Sequence, residues 1–145
     1  AALYIRRHRL PLATPLAALA AGLLLALAVA SLGAFLAGRE LGAVSEAPWA
    51  MALFGVRRHP LALMQMLALL ALLGGVLWAD RRRALRPGQL ALLALFGYAA
   101  LRLFLEPLRA ESLLIGDGWR AVQLAALAGV LLSGWLLGRL AENKP

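Results

Sequence analysis

Four apolar stretches, each long enough to cross a lipid bilayer, fill most of the chain and are parted only by short breaks carrying arginine, glycine or proline. The first, from about Pro11 to Gly38, holds no charged residue and exceeds the roughly 20 residues a bilayer-spanning helix needs. The others run from about Pro60 to Ala79, Gly88 to Leu105 and Ala121 to Gly138. This pattern predicts an all-α integral membrane protein, with residues 1–145 forming a single domain of four antiparallel transmembrane helices. Composition closes the soluble alternative: with 63% hydrophobic residues, a chain of 145 residues has too little interior to hide its apolar surface from water. The first stretch is too long for the apolar core of a secretory leader and lacks a small-residue cleavage site at its end, so a retained helix is expected.

Charge then orients the helices. One set of ends collects Arg6, Arg7, Arg9, Arg81, Arg82, Arg83, Arg86, Arg139 and Lys144 against Asp80 and Glu142. The positive-inside rule places that side, with both termini, in the cytoplasm. On the other side Arg39, Arg57, Arg58, Arg109 and Arg120 are balanced by Glu40, Glu46, Glu106, Glu111 and Asp117, and Trp49 and Trp119 suit an interfacial belt. The net charge of +8 is therefore chiefly a topology signal. No nucleic-acid partner is expected, because no basic run is interleaved with stacking aromatics on a soluble surface.

The chain contains no cysteine, which removes disulfides, thiolate metal sites and a cysteine nucleophile together. His8 lies in the basic run Arg6-Arg7-His8-Arg9, and His59 precedes Pro60 at a helix start, so neither has a partner at metal-ligand spacing. Neither a metal nor a cofactor is expected. Gly22, Gly33 and Gly38 in the first helix, Gly74 and Gly75 in the second, and Gly129 and Gly134 in the fourth read as helix-packing positions.

The residues that carry chemistry lie near the end of the third stretch. Tyr98, Arg102, Glu106 and Arg109 recur at helical spacing, and Arg102 and Glu106, four apart, face one side of a helix and can pair. Charged groups inside a membrane helix are costly enough to imply a role. A cationic, hydrogen-bonding stripe at this depth suits a lipid phosphate, which arginine can grip with two parallel hydrogen bonds. Gln65 in the second helix and Gln123 in the fourth enter at similar depth and can join it. Arg102→Ala is expected to weaken lipid binding or assembly more than Arg120→Ala, near the start of the fourth helix.

These residues fall in a recognisable order. Tyr98 to Arg109 resembles the pattern YGxxRFxxEFxR in the penultimate helix of the prolipoprotein diacylglyceryl transferases, and Arg58-His59-Pro60-Leu61-Ala62-Leu63-Met64-Gln65 resembles that family's RHPxQLYE. Pro48-Trp49-Ala50-Met51 is similar to its PWA motif, Gly33 to Gly38 to the stretch after its GRxG signature, Gly42 to the last glycine there, and Gln123 to a glutamine after a short outer loop. The resemblance covers nearly the whole chain and corresponds to the family's last four membrane helices. It implies a bacterial inner-membrane protein that binds phosphatidylglycerol and transfers its diacylglyceryl group to a lipoprotein cysteine. By carry-over, Arg102 and Glu106 are the catalytic candidates, and Tyr98, Arg102, Arg109, Gln65, Gln123 and His59 the lipid-binding ones.

The departures are equally specific. Ser31 stands where the family signature has arginine, Ala34 where it has asparagine, and Gln65 where RHPxQLYE ends in glutamate. The family's histidine-bearing HGG motif falls in helices to which this chain has no counterpart. An amide forms hydrogen bonds but exchanges no proton at neutral pH, so phosphate binding survives on this sequence while proton transfer looks weakened. Two readings stay open: a minimal diacylglyceryl transferase, or a non-catalytic accessory or scaffold subunit that packs on other membrane-protein subunits.

Overall fold

The structure, a computed structural model, describes residues 13–110, 114–115 and 119–142. The arm carrying Arg6, Arg7, His8 and Arg9 lies outside the described residues, as do Pro11, Glu111, Asp117, Lys144 and the side chain of Trp119. Four helices are long and apolar enough to cross a membrane: α1 (Ala13–Leu36), α2 (Leu61–Arg81), α3 (Pro87–Leu105) and α4 (Ala121–Glu142). Among the described residues, strands are confined to two short antiparallel hairpins, β1 (Met51–Leu53) with β2 (Val56–Arg58), and β3 (Leu114–Ile115) with β4 (Trp119–Arg120).

Local chemistry sets the helix ends. Beyond α1, Gly38 takes a positive φ of 65°, and the amides of Gly38 and Arg39 turn back to the carbonyls of Phe35 and Ala34 at 3.0 and 2.8 Å. This is a Schellman closure, in which glycine meets no Cβ penalty. Gly38 is thus a helix terminator, and what packs on it is not a helix but the hairpin's Phe54 ring, 2.6 Å from where a Cβ would project. Proline opens α3, where its missing N–H costs nothing, and the Gln89 side chain accepts from the Arg86 amide at 3.0 Å. Pro107 ends α3, because it cannot donate to the helix ladder, and the chain leaves through a 3₁₀ turn over Glu106–Leu108.

α3 is the central helix, packed against α1, α2 and α4, and α1 also packs along α2. The core is formed by Leu24 and Ala28 of α1, Leu69, Val76 and Ala79 of α2, and Leu90 and Ala94 of α3. Between helices in lipid there is little hydrophobic driving force, so close approach of small side chains carries the packing. The α3–α4 seam follows that rule: a Cβ added at Gly129 would stand 3.0 Å from the Cβ of Ala99, and Gly134 lies beside Phe96. Gly22, Gly33, Gly74 and Gly75 have open space where a Cβ would project, so the packing expected of them is not found. No side chain of a neighbouring described helix lies within 4 Å of the Cβ position at any of the four.

A small cap of backbone pairings closes the hairpin end of the bundle. Leu41 to Ser45 runs between β2 and the exit of α3, with Ala43 N donating to Leu108 O (2.8 Å), Ala110 N to Leu41 O (3.2 Å), His59 N to Ala43 O (3.2 Å) and Ser45 N to Arg57 O (3.1 Å). Gly42 sits at the tightest point, where a Cβ would run into the carbonyl oxygen of His59. Backbone cannot move aside as a flexible side chain can. Gly42→Ala is expected to destabilise the protein by about 1–3 kcal/mol, as overpacking does, whereas Gly22→Ala should be neutral or slightly stabilising. Unfolding midpoints of the two purified variants check this, and equal midpoints would refute it.

Candidate functional site

The site is built at the last turn of α3. Pro107 halts the helix so that Glu106 becomes its final capping residue, with the side chain only 1% exposed. One turn earlier Arg102 directs Nη2 to Glu106 Oε2 at 3.5 Å, and beyond the 3₁₀ turn Arg109 brings Nε to the same oxygen at 3.8 Å. A buried carboxylate is thus flanked by two guanidinium groups. Arg102 gains further from the carbonyl end of the α3 dipole, which favours a cation in the last turn. Arg120 Nη1 donates to the Glu106 carbonyl oxygen. Arg120 therefore belongs to the site's scaffold, and the exposed Arg57 of β2 is the cleaner comparison for Arg102.

The polar contacts continue across the bundle. Arg102 Nη1 donates to Gln65 Oε1 at 3.4 Å, and Gln65 Nε2 donates to Ser31 Oγ at 2.9 Å. Ser31 in turn donates to the Leu27 carbonyl of its own helix at 2.9 Å. With its hydrogen committed there, the serine can only accept from Gln65. The amide nitrogen of Gln65 is thereby held against α1 and its oxygen is turned to the guanidinium. Ser31 and Gln65 are both buried, at 3% and 7% exposure, so each needs these partners. On the other side, Arg109 Nη1 pairs with Glu40 Oε1 at 3.4 Å.

Two apolar grooves flank α3. One, of about 270 Å³ between α3 and α4, is lined by Tyr98, Ala99 and Arg102 on α3 and by Val122, Ala126 and Gly129 on α4. The other, of about 310 Å³ between α1 and α3, is lined almost wholly by alanine and leucine. Leu95 and Tyr98 border both. An apolar trough with a guanidinium at its end suits an amphiphile with an anionic head.

Of the residues singled out in the sequence, Arg102, Glu106, Arg109 and Gln65 form one network, with Tyr98 beside Arg102 in the α3–α4 groove. His59 stands apart under the hairpin, where Nδ1 accepts from Trp49 Nε1 at 3.2 Å. Gln123 is half-buried in the first turn of α4 and lines neither groove. Sequence reasoning noted Ser31 only as a departure and missed its contact with Gln65. The available signal was that Ser31 is the one polar side chain of α1 beyond its first turn.

The sequence profile of the prolipoprotein diacylglyceryl transferases matches residues 1–139. A phosphatidylglycerol-prolipoprotein diacylglyceryl transferase of Gloeobacter violaceus is 32% identical, the match covering 94% of this chain and 56% of that protein. A protein of the same name from Corynebacterium efficiens is 29% identical over 97% of this chain and 50% of its own length. One from Polynucleobacter necessarius is 36% identical over 62% of this chain and 36% of its own. The chain spans about half the length of the first two relatives. Four membrane-spanning helices and a family match that runs through the Tyr98-to-Arg109 cluster make this a multi-pass membrane protein, and the chain belongs to the prolipoprotein diacylglyceryl transferase family.

Proposed function

We propose that this chain holds phosphatidylglycerol with its phosphate against Arg102 and takes part in transferring the diacylglyceryl group to a prolipoprotein cysteine. The observation that carries the reading is Arg102 itself, a guanidinium at the end of an apolar groove and steadied by Glu106 and Gln65. In such a transfer the cysteine sulfur bonds to the glyceryl carbon, the carbon–oxygen bond to phosphate breaks, and glycerol phosphate leaves. The thiol proton must go to a base, and charge building on the phosphate must be met by a cation. Arg102 fits the second task. Glu106 is the carboxylate nearest to it, and Tyr98, Gln65 and Arg109 border the same network, with His59 and Gln123 at its periphery.

The paired neutral side chains Ser31 and Gln65 favour a second reading. A serine and an amide satisfy each other where the family has charged groups, and neither moves a proton at neutral pH. On that reading the four helices act as one lipid-binding scaffold subunit for other membrane proteins. Purified protein, phosphatidylglycerol and a cysteine-bearing lipoprotein signal peptide separate the two. We expect phosphatidylglycerol to bind at least about tenfold more tightly than phosphatidylcholine of the same acyl chains, because both carry the phosphate but only choline adds a cation that the arginines repel. Transfer should be slower than that of the full-length relatives by about 10²- to 10⁴-fold, the usual cost of a missing acid or base. Absence of the lipid preference would sink the first reading, and rapid turnover would sink the second.

The same proposal places the chain in the bacterial inner membrane with both termini and Arg81 to Arg86 in the cytoplasm, on the charge asymmetry between helix ends. An impermeant thiol reagent added outside cells should label Arg57→Cys and spare Ala84→Cys. The reverse pattern would invert the topology.

A further inference from the structure

We infer that the tip of the β1–β2 hairpin is a membrane anchor, with the Phe54 ring seated at the headgroup–acyl boundary of the bilayer beside the end of α1. Phe54 is 75% exposed, and Met51 and Val56 on its flanks are exposed as well. The register pairs Met51 with Arg58, Ala52 with Arg57 and Leu53 with Val56. Directly opposed residues of an antiparallel pair share a face, and successive residues alternate between faces. Met51, Leu53 and Val56 therefore lie on one face, from which Arg58 turns back to the Gly42 carbonyl, while Ala52 and Arg57 lie on the other. The hairpin is amphipathic.

The helix ends fix which way its apolar face looks. Leu53 and Phe54 line a cavity of about 380 Å³ together with Phe35 and Leu36 of α1 and Leu61 and Ala62 of α2, the ends of two membrane-spanning helices. Leu36 is itself exposed, so the apolar face of the hairpin continues the lipid-facing side of α1. That continuity makes lipid, and not a protein segment, the partner. Depth follows from length. The 24 residues of α1 extend roughly 36 Å, more than the roughly 30 Å of a hydrocarbon core. The Phe54 ring rests on Gly38, just past that helix, and so reaches the boundary layer in which apolar side chains of surface-lying elements bury themselves. Water still reaches strand edges there, as it does not in hydrocarbon.

The turn supplies an independent sign. Phe54 adopts φ 53°, where glycine or asparagine would avoid most of the penalty that a bulky side chain meets. So exposed a ring gains little from the described residues to offset that strain. Transfer of its apolar surface from water into the boundary layer does offset it. The anchor is independent of any lipid held at Arg102.

The chain has no cysteine, so a single introduced thiol carries the only label. Phe54→Cys and Arg57→Cys, each bearing the same environment-sensitive dye, are compared in full-length protein in phosphatidylcholine nanodiscs. Iodide quenches from water, and phosphatidylcholine with a nitroxide near the top of its acyl chain quenches from the boundary. The label at position 54 should be quenched at least about threefold more by the nitroxide lipid and threefold less by iodide than the label at position 57, as burial by about 5–10 Å requires. Equal iodide quenching at the two positions would place the tip in water and overturn the proposal. So would a label at position 54 shielded from both quenchers, which would mean that protein covers the tip. Should Phe54→Cys fail to fold, Val56→Cys, exposed on the apolar face, carries the same comparison with the same outcomes.

Discussion

Glu106→Ala is expected to lower stability by about 3–5 kcal/mol, since removing one member of a buried ion pair leaves its partners charged and uncompensated. Here two cations would be stranded. Arg102 and Arg109 are 18% and 17% exposed, and both converge on one carboxylate oxygen. Their residual exposure puts the loss toward the lower end of that range. Glu106→Gln keeps the shape and an acceptor oxygen and should lose less. Equilibrium unfolding of the purified variants decides this: an alanine variant with the parent midpoint would mean that the ion pairs contribute nothing.

Arg102→Ala should abolish the preference for phosphatidylglycerol and reduce any transfer by about 10²- to 10³-fold, the scale found when one group that stabilises developing charge is removed. Arg57→Ala should do neither, because Arg57 is exposed on β2 and touches none of the site. Arg120→Ala should fall between them, as it removes the donor to the Glu106 carbonyl without removing the cation of the groove. Arg102→Lys is expected to resemble the alanine variant more than the parent. A lysine ammonium lacks the planar fork that spans Gln65 and Glu106. Lipid binding measured in nanodiscs together with the peptide assay reads these effects, and a lysine variant at parental level would reduce Arg102 to a point charge.

How much of this was legible in the sequence follows from where each constraint resides. The four helices were readable because the bilayer dictates both their length and their apolarity, and Pro60, Pro87 and Pro107 mark ends that any helix must respect. Arg102 and Glu106 were readable because helical spacing alone brings them together, whereas Arg109, also expected at that spacing, reaches Glu106 from beyond the helix through the 3₁₀ turn. The hairpin was not. Its two-residue turn is Phe54-Gly55, both at positive φ (53° and 79°), and phenylalanine stands where asparagine or glycine would have given the signal. Ser31 and Gln65, 34 residues apart, meet because α1 packs along α2; the lone serine in an apolar helix hinted at a polar partner, but nothing local named Gln65. Gln123 was grouped with the cluster by depth, which fixes a level along the bundle and leaves the direction around it open, and His59 only through the family's RHPxQLYE motif, which does not say where its side chain points.

The single-sided seating of α4 bears on how a ligand arrives. Its main packing is on α3, so among the described residues the groove that ends at Arg102 has helices for two walls and no far side. A lipid can enter it by sliding sideways within its own leaflet, tails first or head first, without exposing a hydrocarbon chain to water. For the lipid binding proposed above, occupancy would then follow the mole fraction of lipid in the bilayer rather than its concentration in solution.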